Sequence, residues 1–96
     1  MELTLLRNEL NTAYGLALPE TPTIEALEPI LAEKVNDLIN TDFTGLVQIL
    51  YRIDVSEERL KKILRENRGI DAGLLIARLM IERQWQKIET RRKFNP

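Results

Sequence analysis

The stretch Leu74-Leu75-Ile76-Ala77-Arg78-Leu79-Met80-Ile81 constrains the fold more than any other part of the chain. Wound as a helix, it is apolar almost all round, and such a helix must be surrounded by its neighbours. The rest of the chain therefore has to supply covering helices. Asp71 is placed to N-cap this last helix, expected over about residues 72–93. Ile70 at N′ and Leu75 at N4 hold the positions of a hydrophobic staple. Beyond Ile81 the apolar set narrows to Trp85 and Ile88, continuing the line of Leu74, Ala77 and Ile81. The end, Arg91-Arg92-Lys93-Phe94-Asn95-Pro96, is expected to fray.

The covering helices are legible upstream. Leu3, Leu6, Leu10 and Ala13/Tyr14 follow helical spacing on one narrow stripe, and Gly15 suits a C′ position. A stripe that narrow predicts a first helix docked loosely or against a partner. Residues 15–22, Gly-Leu-Ala-Leu-Pro-Glu-Thr-Pro, form the linker, because Pro19 and Pro22 forbid a regular helix. Leu16 and Leu18 are expected to touch the core. A second helix begins near Thr21 or Thr23, with Ile24, Leu27, Leu31, Val35 and Leu38 on its inner face. Pro29 either kinks this helix or starts a new one at N1.

Asp42 is the next N-cap, for a short helix from Phe43 to about Arg52 whose buried face is read as Phe43, Leu46, Val47, Leu50 and Ile53. Tyr51 lies at the edge of that face, where a half-buried ring with an exposed hydroxyl is expected. Ser56 caps a helix over 57–67, with a Val55/Leu60 staple, acids in its first turn and bases toward its end. Only Leu60, Ile63 and Leu64 face inward there. Asn67-Arg68-Gly69 reads as a helix stop. The chain is thus expected to be one all-α domain over residues 1–96. It reads as a compact bundle of four to five short antiparallel helices around a central C-terminal helix.

The residue types present exclude much chemistry. The chain has no cysteine and no histidine. Thiolate metal sites, disulfides, cysteine nucleophiles and the commonest general base are absent with them. The four glycines stand apart at 15, 45, 69 and 73, so no phosphate-cradling loop exists. Glu33 and Asp37, at i and i+4, are the nearest approach to a cation site, and two carboxylates on one helix are a weak signal. No cofactor, metal or catalytic residue is expected. No apolar run reaches the ~20 residues of a membrane span. Met1-Glu2-Leu3-Thr4 lacks the basic start of a signal peptide, and the expected location is the cytoplasm.

Net charge is −1, yet the halves differ. Residues 1–50 hold two bases against eight acids, a net −6. Residues 51–96 hold twelve bases against seven acids, a net +5. Either the halves attract each other within the fold, or the basic half meets an acidic partner. Two basic groups stand out: Lys61, Lys62, Arg65 and Arg68, and then Arg83, Lys87, Arg91, Arg92 and Lys93. The helices flanking Gly69 resemble a DNA-reading pair only generically, and the second is too apolar at its start to lie in a groove.

Arg78, inside the most apolar stretch, must reach solvent, find a carboxylate or anchor an anion at an interface. The stripe Ile81–Trp85–Ile88 outruns the densest core. It either packs on the first helix or forms a seam with another copy if that helix detaches or swaps.

One resemblance bears on setting. The run from Asp42-Phe43 through Leu46-Val47-Gln48-Ile49-Leu50-Tyr51-Arg52-Ile53-Asp54-Val55-Ser56, with Ile76-Ala77 and Ile81-Glu82-Arg83-Gln84, resembles small uncharacterised bacterial helical proteins. The likeness spans about residues 39–93. It implies a bacterial cytoplasmic setting and no activity, cofactor or site. The leading expectation for function is a non-enzymatic protein-interaction module, self-associating through Arg78, Ile81, Trp85 and Ile88. The alternative is a nucleic-acid-binding accessory protein using the basic half.

Overall fold

The computed structural model describes residues 2–94, which form five helices and no strand. In chain order these are α1 (Leu3–Tyr14), α2 (Ile24–Thr41), α3 (Phe43–Ile53), α4 (Glu57–Glu66) and α5 (Ala72–Phe94). None is long and apolar enough to cross a membrane. At 1.5 Å per residue, α5 is about 35 Å long, most of the 40 Å long axis of the molecule. All four other helices pack on it, α2 most extensively. Its first half is buried at Gly73, Leu75, Ile76, Ala77, Leu79, Met80 and Ile81, as an all-round apolar helix requires.

Each start signal near α2 to α5 is met by a side chain. The caps at Asp42, Ser56 and Asp71 accept from the N–H groups of Gly45, Arg59 and Leu74 at 3.0, 3.3 and 3.1 Å. Thr23, rather than Thr21, caps α2, accepting from Ala26 at 3.1 Å. Thr21 instead donates its hydroxyl to the Thr23 carbonyl. The two alternatives for Pro29 resolve to one helix that runs through it without interruption. Its ring lies on the exposed side of α2. Burial of Leu27, Leu31, Ala32 and Val35 elsewhere on the helix outweighs the lost hydrogen bond.

α3 ends at Asp54, in the left-handed region at φ +65°. The Asp54 N–H bonds the Tyr51 carbonyl and the Val55 N–H bonds that of Leu50, both at 3.1 Å. That is the 5→2 and 6→1 pairing of a Schellman stop, which usually takes glycine. Ile70, read as a staple, is 43% exposed, so Leu75 covers it at most in part.

α1 lies against α5 with Leu6 and Leu10 fully buried. The linker does reach the core, through Leu16 and Leu18. The Asn11 amide grips it, donating to the Leu18 carbonyl at 3.0 Å and accepting the Leu18 N–H at 2.6 Å. Arg7 adds a bond to the same carbonyl at 3.2 Å. Fraying expected from Arg91 onward is not seen through Phe94. Arg91 and Arg92 reach back to Glu9 of α1 and to Glu2 just before it, and hold the last turns. Asn95 and Pro96 lie outside the described residues.

Candidate functional site

Three exposed apolar side chains stand on one stripe of α3. Phe43 is 61%, Val47 47% and Tyr51 81% exposed, at i, i+4 and i+8. Phe43 and Val47 were expected in the buried face, and Tyr51 half-covered. The correction has a physical reason. α3 is apolar at seven of its eleven positions, a wider surface than α2 and α5 can cover. Leu46, Leu50 and Ile53 take the core side, and the adjoining stripe is left over.

α4 leaves a matching gap. It has no fully buried residue and rests chiefly on α5. Leu60, Ile63 and Leu64 are each only partly covered. Between α3 and α4 opens a mainly apolar cleft of about 330 Å³. Val47, Leu50 and Tyr51 form one wall and Leu60 and Leu64 the other, with Val55 at the apex and Glu57 and Lys61 at the rim. Glu57 and Lys61 pair at 3.0 Å, on exposed side chains.

The stripe on the last helix is placed differently. Ile81 and Ile88 are buried in the core and Trp85 is partly buried. With α1 docked, no seam through them is open to a second copy. A polar network secures that docking. The Tyr14 hydroxyl donates to the Gln84 Oε1 at 3.0 Å, and the buried Gln84 donates to Glu9 at 3.0 Å. Glu9 in turn accepts from Arg91. The Arg92 guanidinium lies 5.5 Å from the Trp85 ring centroid and that of Arg52 lies 5.2 Å from Tyr14. Burial raises the Tyr14 pKa above its usual 10.0, the Arg52 charge opposing the shift and Asp54 and Glu9 adding to it. Arg78, half exposed, pairs with Glu28 of α2 at 3.3 Å.

The basic groups separate. Arg83, Lys87 and Arg91 line a second cleft of about 350 Å³ with Gln84 and Thr90. Asp54 lies 3.9 Å from Arg83 and 3.7 Å from Lys87. Lys87 also donates to the Arg52 carbonyl at 2.9 Å. Arg91 and Arg92 face Glu9 and Glu2. Pairs such as Arg78–Glu28, Arg91–Glu9 and Arg92–Glu2 join the acidic half of the chain to the basic half. Among the described residues, Lys62, Arg65, Arg68 and Lys93 have no ion-pair partner. Glu33 and Asp37 border a shallow surface with Asp71, and no three carboxylates converge on a point among the described residues.

Sequence reasoning missed the α3–α4 cleft. The available signal was a surplus, with seven apolar side chains on α3 facing an α4 that offers only Leu60, Ile63 and Leu64. Searches against protein-family models, curated proteins and solved structures found no match to the chain.

Proposed function

We propose that the protein is a non-enzymatic interaction module that docks a protein partner in the cleft between α3 and α4. The observation that supports this is the Phe43–Val47–Tyr51 stripe, exposed beside an apolar cleft. Large exposed apolar side chains gathered in one place mark interaction surfaces. Tyr is enriched at binding hot spots because it brings area, a polar tip and few rotors. The absence of histidine and cysteine from the sequence fits a role without catalysis. The last-helix seam is not the proposed face, because Ile81 and Ile88 are buried within the core. Nucleic acid is disfavoured as partner, since Arg83, Lys87, Arg91 and Arg92 already face carboxylates.

An unbiased probe tests the face. Randomised peptides selected against the whole protein are expected to shift backbone amide resonances of residues 43–68. Val47→Asp should abolish their binding while the variant remains folded. Binders whose footprint falls on the α5 cations, or on α2, would sink the proposal.

A further inference from the structure

The cleft carries charge on only one wall. On α3, Val47 and Tyr51 along the cleft and Thr44 and Gln48 beside them are exposed and uncharged, while the exposed Arg52 does not line the cleft and lies over the Tyr14 ring. On the other side, Glu57, Lys61, Arg65 and then Arg68, just past the helix end, follow i, i+4, i+8 and i+11 along one edge of α4. Lys61 and Glu57 are the rim itself. Arg65 and Arg68 continue that rim with no ion-pair partner among the described residues. The apolar floor is therefore bordered by a basic edge.

We infer that the occupant is an amphipathic helix of another protein, apolar where it lies between α3 and α4 and acidic along the flank beside Lys61, Arg65 and Arg68. The inference rests on reading the cleft as the docking face. α4 has ten residues, about 15 Å, so about three turns of a partner helix fit alongside it. Its anchors would fall at i, i+3 or i+4, and i+7. An acidic flank meets a potential of opposite sign, whereas a basic flank is repelled. A second copy of this chain does not supply such a helix. The acid-rich outer face of α2, with Glu25, Glu33 and Asp37, includes no exposed large apolar side chain.

The sign of the charge on selected peptides decides the matter. Peptides of about 16 residues, drawn from a random library, should show apolar anchors at helical spacing and an excess of Asp and Glu. Fluorescein-labelled, they should bind less well as salt rises. They should also lose roughly tenfold or more in affinity against the triple variant Lys61→Glu/Arg65→Glu/Arg68→Glu. Selection against that triple variant should return basic peptides. All three substitutions are on exposed side chains, and circular dichroism melting is expected to confirm a folded protein. Neutral or basic peptides selected by the native protein, or an affinity indifferent to the charge reversal, overturn the acidic partner. In that case docking at the cleft still stands if Tyr51→Ser weakens binding. Peptides indifferent to both sets of substitutions overturn the docking face as well. Sedimentation of the protein alone as a dimer that Tyr51→Ser dissociates overturns the inference in favour of a second copy.

Discussion

Asn11 acts on Leu18 as the peptide of a neighbouring strand would, giving one donor and one acceptor to the same residue. The linker can run inward at Leu16 and Leu18 only because these polar groups are satisfied. Asn11→Ala should cost about 1–3 kcal/mol in denaturant melts, because the Leu18 N–H loses its partner in a partly buried site. Asn11→Asp, which keeps the acceptor, should cost less. Tyr14 sets an alkaline limit. Its pKa is raised in the folded state by burial, so the neutral phenol is the form that folding favours. The associated stability is complete below the unfolded pKa and is lost as pH rises through the higher folded value. Melting temperatures followed from neutral pH to above 10 should fall, and Tyr14→Phe should flatten that fall. At neutral pH the same change costs about 0.5–1.5 kcal/mol for the lost bond to Gln84. Neither role is legible from sequence, since Asn11 and Tyr14 acquire their partners only when α1 meets the linker and α5.

At the scale of elements, capping and breaking residues act as their local chemistry dictates, with tertiary packing able to overrule them. Asp42, Ser56 and Asp71 cap where the sequence places them. Pro29 breaks nothing, because α2 is held on α5 by four buried residues. Pro29→Ala should therefore stabilise the protein by about 1–3 kcal/mol, the restored helix bond exceeding the added entropy of the unfolded chain. Gly73 is a different case. It is buried where α5 begins against α2, and a methyl there would overlap the Asn36 side chain. Asn36 cannot yield freely, since it donates to the capping Asp71 at 2.9 Å. Gly73→Ala should cost about 1 kcal/mol, overpacking exceeding the gain in helix propensity. In an Asn36→Ala background the same change should become neutral or stabilising, a coupling that a double-mutant cycle measures.

Over the whole molecule, the charge asymmetry of the chain is met in part within the fold. Arg78, Arg91 and Arg92 meet acids from the first half, and Arg83 and Lys87 meet Asp54. Exposed pairs of this kind add little stability, yet they weaken the field that the α5 cations would offer an anionic polymer. Anisotropy titrations with single- and double-stranded oligonucleotides should accordingly give a Kd weaker than about 10⁻⁴ M at near-physiological salt. Tighter, steeply salt-dependent binding would show that the cations leave their carboxylates readily.

What the sequence by itself determined is whatever depends on nearest neighbours and period. Helical spacing, caps and the all-round apolar run from Leu74 to Ile81 specify four to five helices and put the last of them at the centre. What only the tertiary structure decided is which apolar surface remains uncovered. Ile81 and Ile88 continue beyond the densest core and read as surplus, but both are buried once the helices assemble. Phe43, Val47 and Tyr51 read as interior or edge, but no helix remains to cover them. Periodicity says which side of a helix is apolar and is silent on how much partner surface reaches it. That quantity depends on the packing of all five helices together, and here the packing leaves α3 and α4 apart.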